Sequence, residues 1–245
     1  MKRGTMAVVS IGPGDAGNLT PRAREALEAA EVIAGYGAYL QQIDALLGGK
    51  LIIESGMHGE LERCRKALEQ YRGGRRTCLV SGGDAGVYGL AGLVLELMSP
   101  EEQAALRVLP GVTSATACAA LLGAPLTHDF AVISLSDLLT SEHLIEKRLK
   151  MAAEGDFVTV LYNPQSIKRR RLFSRAAEIF LAHRSPSTPV GLVREAYRDG
   201  QRVMLGTLEE LASQNWVDMK TTVLIGNSET FSSGGRMITP RGYGG

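Results

Sequence analysis

The sequence predicts an α/β protein made of two tandem α/β domains. Short apolar runs suited to buried strands alternate with amphipathic helical stretches from residue 6 to residue 122. A turn-rich break follows, Gly123-Ala-Pro-Leu-Thr-His-Asp129, and beyond it the alternation restarts and runs to Ile225. The boundary is therefore set at 122/123. Residues 1–122 form an N-terminal domain with a parallel sheet, and residues 123–245 form a C-terminal domain with a mixed sheet.

Residues 6–11 read as the first buried strand and lead into Gly12-Pro13-Gly14-Asp15-Ala16-Gly17. The letters match the dinucleotide fingerprint G-x-G-x-x-G, but three features oppose that reading. Pro13 lacks a backbone donor, and Asp15 puts negative charge where a pyrophosphate would lie. The helix starts late, with Thr20 as N-cap and Pro21 at the first helical position. The second strand, 32–34, also has no acid at its end for a ribose. A helix over 39–47, a strand over 51–53 and a helix over 60–71 burying Leu61, Cys64, Leu68 and Tyr71 continue the pattern.

The most informative stretch is 77–98. Cys78, Leu79 and Val80 suit a strand buried on both faces. Val87, Leu90, Ala91, Val94, Leu95 and Met98 lie on one face of a helix. Between them, Ser81-Gly82-Gly83-Asp84-Ala85-Gly86 forms a glycine-rich turn at the carboxyl end of a strand, where α/β sheets bind ligands. An acid in such a turn suits hydroxyls or a cation and suits a phosphate badly. A strand over 107–109 and a small-residue helix over 112–122 complete five units, which implies a parallel sheet.

In the second domain, strands over 131–135, 157–161 and 190–193 alternate with helices over 142–153 and 172–182. Strands over 202–205 and 222–225 are separated only by a short helical piece over 208–212, so antiparallel pairing is expected there. From Ser228 the Ser/Gly/Thr-rich tail has no periodicity and is expected to be mobile unless something docks it.

Composition narrows the function. Apolar content of 44% and charged content of 22% over 245 residues are ordinary for a globular protein. A net charge of +1 gives no global field for nucleic acid or an acidic membrane. Cys64, Cys78 and Cys118 are odd in number and widely spaced, which fits a reducing compartment and opposes a disulfide frame, a zinc site or an iron–sulfur cluster. The four histidines show no metal-ligand spacing. No apolar run reaches membrane-spanning length, and the N-terminal run breaks at Gly12-Pro13-Gly14, too soon for a secretory signal. The expectation is a cytoplasmic protein without metal.

Other polar clusters admit two readings each. Tyr162-Asn163-Pro164 is either a strand-ending turn or a cleft-facing site. Lys168, Arg169, Arg170 and Arg171 form either a solvated face or a clamp for a substrate rich in carboxylates. His58 with Glu60 and His128 with Asp129 are either loop residues or acid–base pairs. Ser10, Ser81 and Ser136 lack a nucleophile-elbow context. With no triad, P-loop or metal site, the chemistry is expected to rest on a reactive cofactor that the protein orients.

The chain resembles the tetrapyrrole methylases, two-domain enzymes that use S-adenosylmethionine. The resemblance runs through Ile11-Gly-Pro-Gly-Asp15, Ser81-Gly-Gly-Asp-Ala-Gly-Val-Tyr-Gly89, Pro110-Gly-Val-Thr-Ser114, Gly123-Ala-Pro-Leu-Thr-His-Asp129, Leu161-Tyr-Asn-Pro164 and Pro189-Val-Gly-Leu-Val193. Narrower signals include Ala34-Gly-Tyr-Gly37, Ser55-Gly-Met57, Ile133-Ser-Leu-Ser-Asp-Leu-Leu139, Val217-Asp-Met219 and Ile238-Thr-Pro-Arg-Gly-Tyr243. They point to the branch that methylates carbon 17 of a cobalamin precursor and contracts its ring, with or without cobalt bound.

The resemblance implies a cleft between the two domains that holds S-adenosylmethionine and releases S-adenosylhomocysteine. Pro13, Gly82, Gly83, Asp84, Val87, Thr113, Ser114, Asn163 and Ala196 would line it, and a homodimer is implied. Ring contraction calls for acid–base help, for which His128, Asp129 and Ser136 are the candidates. The alternative is a methylase of this fold acting on another tetrapyrrole or on a different acceptor. One departure stands out. After Thr140 the family has proline then tryptophan, whereas here Ser141 and Glu142 follow, at a helix start or a substrate contact.

Overall fold

The structure is a computed structural model that describes residues 4–165 and 171–243. It divides into two compact units, Met1–Ser114 and Ala115–Gly245. The helix that the sequence reading assigned to the first domain thus groups with the second.

The first unit is a five-stranded sheet: β1 (Met6–Ser10), β2 (Val32–Tyr36), β3 (Leu51–Ser55), β4 (Thr77–Ser81) and β5 (Arg107–Leu109). The strands lie in the order β3-β2-β4-β1-β5, and every pairing is parallel. Side chains alternate across the sheet. Ala7, Val9, Ile33 and Val80 pack on one face against Ala23 and Leu27 of helix α1 (Pro21–Ala29). Met6, Val8, Ala34 and Leu79 pack on the other against Cys64, Ala67, Leu68 and Tyr71 of a later helix. β1 and β4 are buried along their whole length, as central parallel strands require. Thr20 caps α1 as expected, its Oγ1 accepting from the Ala23 N–H at 3.2 Å.

Several helices differ from the sequence expectation. The stretch 39–47 is a single turn, α2 (Gly37–Leu40), followed by a 3-10 segment, Gln41–Leu46. In α3 (Glu60–Arg72) Leu61 is exposed, and Arg63 is buried instead. α4 spans only Ala91–Glu96. Val87 sits in a turn because Tyr88 adopts a left-handed φ of 54° and the Ala91 N–H donates to the Ala85 carbonyl, which breaks the helical ladder. α5 (Pro100–Ala105) escaped the reading of apolar period, although Ser99-Pro-Glu-Glu102 spells a capping box, which the structure forms.

The second unit contains α6 (Ser114–Leu122), β6 (Gly123–Ala124), β7 (Phe130–Ser134), α7 (Glu142–Glu154), β8 (Val158–Tyr162), α8 (Arg171–Leu181), β9 (Pro189–Arg194), β10 (Arg202–Thr207), α9 (Leu208–Leu211) and β11 (Thr221–Ile225). Its main sheet runs β10-β9-β11-β8-β7. β7 and β8 are parallel, and β11 is antiparallel to both β8 and β9. β7, β8 and β9 therefore end at the same edge. One face packs on α7 and α8 through Ile145, Leu149, Phe173 and Phe180. The other packs on α6 through Ala115, Cys118 and Leu122.

The tail is docked. β12 (Phe231–Ser233) and β13 (Arg236–Ile238) form a hairpin, and β13 pairs in parallel with β6. Met237 is fully buried, and Thr239 meets Thr230 hydroxyl to hydroxyl at 2.8 Å. A strand of three residues carries too little period to be read from sequence.

Candidate functional site

The carboxyl ends of β4, β1 and β5, neighbours in the first sheet, converge on one backbone-lined turn system. Gly12 and Gly83 form a two-bond bridge, Gly12 N–H to Gly83 carbonyl at 3.1 Å and Gly83 N–H to Gly12 carbonyl at 2.9 Å. Both have left-handed φ, 74° and 61°, which a side chain would strain. The Ser10 hydroxyl, fully buried, accepts from the Ala85 N–H at 2.8 Å, so it anchors the turn.

Asp84 sits at the centre of this system. Its Oδ1 accepts from the Gly86 N–H at 2.8 Å and its Oδ2 from the Gly111 N–H at 2.9 Å. The carboxylate thus ties the turn after β4 to the turn after β5 and keeps a remaining lone pair on each oxygen. A Cβ on Gly111 would lie 2.6 Å from the Gly83 carbonyl oxygen, so the two turns touch because that side chain is missing. A Cβ on Gly83 would meet Thr113 and Ser114 at 3.9 Å, ordinary van der Waals contact, so Gly83 lies beside the turn that follows β5. Gly82 lies against the Tyr39 ring, which meets Tyr36 edge to face at 5.3 Å. Pro13 is buried, and Val87, Thr113 and Ser114 are half-buried.

The loop after β1 offers no helix start to a phosphate. Asp15 caps a 3-10 turn, Ala16–Asn18, by accepting from the Asn18 N–H at 3.0 Å, and α1 begins only at Pro21. The cysteines are core residues: burial pushes the thiols of Cys64 and Cys78 up to about 11 and that of Cys118 up to about 12.

In the second unit the shared edge of β7, β8 and β9 carries Ser136, Asn163 and Ala196. Asn163 has a left-handed φ of 52°, and its Nδ2 donates to the Ser134 Oγ at 3.0 Å; the same oxygen accepts from the Ser136 N–H at 3.2 Å. Ala196 is buried between Glu195 and Tyr197, both with left-handed φ. The Tyr162 hydroxyl accepts from the Ala115 N–H at 2.6 Å, at the start of α6.

His128 and Asp129 are elsewhere. They precede β7, so about 17 Å of strand separates them from Ser136. His128 Nδ1 accepts from the Asp129 N–H at 2.8 Å, and both side chains are exposed. The three acid–base candidates therefore do not form one group, because a strand puts its two flanks at opposite edges of the sheet. His58, also left-handed, is an exposed loop residue.

Of the basic run, Lys168, Arg169 and Arg170 lie outside the described residues. Arg171 pairs with Glu142 in the first turn of α7, and Ser141 Oγ caps that helix by accepting from the Leu144 N–H. The Ser141-Glu142 departure thus supplies a helix cap and an ion pair. Among the described residues no helix is long and apolar enough to cross a membrane.

Residues 5–212 match the family model of the tetrapyrrole (corrin/porphyrin) methylases. The chain belongs to this family. Among tetrapyrrole methylases it is 46% identical to the probable cobalt-factor III C(17)-methyltransferase of Salmonella typhimurium, over 97% of this chain and 99% of that protein. It is 45% identical to the cobalt-factor III methyltransferase of Priestia megaterium over 98% of its own length, but spans only 45% of that longer protein. The crystal structure of the methyltransferase CobJ matches at a TM-score of 0.89 and 37% identity, covering 97% of this chain and all of that one. A uroporphyrin-III C-methyl transferase from Thermus thermophilus complexed with S-adenyl homocysteine matches at a TM-score of 0.70 and 25% identity, over 91% of this chain and 92% of that one.

Proposed function

We propose that this tetrapyrrole methylase transfers a methyl group from S-adenosylmethionine to carbon 17 of precorrin-3B, or of its cobalt-bearing counterpart cobalt-factor III, with contraction of the macrocycle, as a step of cobalamin synthesis. The observation that carries this reading is the end-to-end likeness to the Salmonella relative, which matches in length as well as in sequence.

The first unit's turns fit such a donor. They present bare backbone at Gly12, Gly83 and Gly111 and one carboxylate at Asp84, and the loop after β1 gives no α-helix start to a phosphate. Pro13, Gly82, Gly83, Asp84, Val87, Thr113 and Ser114 in the first unit, and Asn163 and Ala196 in the second, are the residues assigned to it. When bound, the donor supplies a methyl already activated by a positive sulfur. The protein's own contribution is alignment, which can lower a barrier by about 7–11 kcal/mol and calls for no side-chain nucleophile. Asp84 tolerates the sulfonium and offers acceptors to hydroxyls or the ammonium, while its bonds to Gly86 and Gly111 hold it in place. For the proton transfers of ring contraction, Ser136 stays a candidate through its place beside Asn163. His128 and Asp129, at the far edge, are not assigned. The homodimer is part of this reading and is checked by light scattering.

The test is turnover of purified protein with S-adenosylmethionine and, in parallel, precorrin-3B and cobalt-factor III. One added methyl, a contracted ring and an equivalent of S-adenosylhomocysteine are expected. Turnover of uroporphyrinogen III alone would replace the substrate, and a lack of S-adenosylhomocysteine affinity would remove the donor.

A further inference from the structure

Arg63 is a buried cation without a counter-charge among the described residues. It lies in the first turns of α3, and only 3% of it is exposed. Its Nη1 donates to the Ser55 hydroxyl, its Nε is buried with no partner, and among the described residues no carboxylate stands within ion-pair distance. Buried arginines are normally paired, because an uncompensated charge away from water costs several kcal/mol. A fold that keeps one beside a ligand edge holds it ready for an anion from outside.

Its location fits. Ser55 ends β3 and stands opposite Tyr36, while Ala34 stands opposite Leu79, so Ser55 is level with Ser81 two strands away. Two strand spacings make roughly 10 Å along the carboxyl edge of one sheet. That distance lies within the span of a tetrapyrrole and its carboxylate arms. The cover over Arg63 is thin: Gly56, Met57 and His58 are exposed, Ser55 is half-buried, and a Cβ on Gly56 would meet nothing within 4 Å. His58 holds a left-handed φ of 67°, and the loop turns back at Gly59, whose carbonyl accepts from the Ser55 Oγ at 3.4 Å.

We propose that Arg63, held by Ser55, binds a carboxylate side chain of the tetrapyrrole substrate. The guanidinium offers a planar fork of donors suited to a carboxylate, and Ser55, whose own proton goes to the Gly59 carbonyl, holds one arm of that fork at the strand end. This rests on the function proposed above and adds a substrate residue on the donor's own sheet, at its other side.

The test compares the whole chain with Arg63→Met and Arg63→Lys. The readouts are an anaerobic absorbance titration with cobalt-factor III, calorimetric affinity for S-adenosylhomocysteine, and thermal stability. Arg63→Met should weaken the macrocycle about 10- to 100-fold, leave S-adenosylhomocysteine affinity unchanged, and keep or raise the melting temperature, since the charge it removes has no counter-charge among the described residues. Arg63→Lys keeps the charge without the fork and should fall between, which preserves the test if the Met variant does not fold. Wild-type macrocycle affinity in either folded variant overturns the assignment alone. A wild type that binds S-adenosylhomocysteine but no tetrapyrrole overturns the proposed substrate and this assignment with it.

Discussion

Asp84 Oδ2 accepts a hydrogen bond from the Gly111 N–H at 2.9 Å, which joins two turns that are 27 residues apart in the chain. The same carboxylate steadies its own turn through Gly86, so a group assigned to the donor also builds the surface that receives it. Removing it affects shape and affinity together.

Asp84→Ala should abolish methyl transfer by loss of donor affinity. It should also cost about 1–3 kcal/mol of stability, because the Gly86 and Gly111 N–H groups lose their acceptor. Calorimetry with S-adenosylhomocysteine and chemical denaturation measure the two separately. Wild-type affinity in the folded variant would remove Asp84 from the donor site.

Gly111→Ala places a methyl 2.6 Å from both the Gly83 carbonyl oxygen and the Ser10 Cβ. The turns after β4 and β5 must then part, at a cost of about 1–3 kcal/mol for overpacking. Donor affinity should fall at least tenfold, which corresponds to about 1.4 kcal/mol. An unchanged affinity would show that the turns move independently.

Met237→Ala should destabilise the chain by about 2–5 kcal/mol, the usual cost of emptying a buried methionine site. Protease cleavage after residue 228 should quicken in the variant. A melting temperature equal to wild type would argue that the β12–β13 hairpin is not docked.

Glu195→Gln tests the acid limb of stability. The Lys220 ammonium hydrogen-bonded to Glu195 holds its carboxyl below the ordinary 4.5, against an opposing effect of burial, with Arg194 adding to the lowering. A depressed folded value means stability that is present above pH 4.5 and lost as pH falls through the lower folded value. Wild type should therefore melt higher than Glu195→Gln at neutral pH, and the two should converge as pH falls below 4.5 and through the lower folded value. A difference that persists at acid pH would assign the effect to packing.

What the chain determined by itself was its local periodicity. The alternation of apolar runs fixed the ten strands of the two main sheets to within about two residues. Thr20-Pro21 fixed the start of α1, and the glycine-rich turn at Gly82-Gly83-Asp84 marked the ligand edge. Those signals are local because hydrogen-bonding period, capping and φ preference act over a few residues. The tertiary structure decided everything that depends on which distant residues meet. It turned Asp84 toward Gly111, docked a tail without period through its own Met237, set His128 and Ser136 at opposite edges of the second sheet, and buried Arg63 with no counter-charge among the described residues. Such pairings come from strand order and packing, and no spacing along the sequence encodes them.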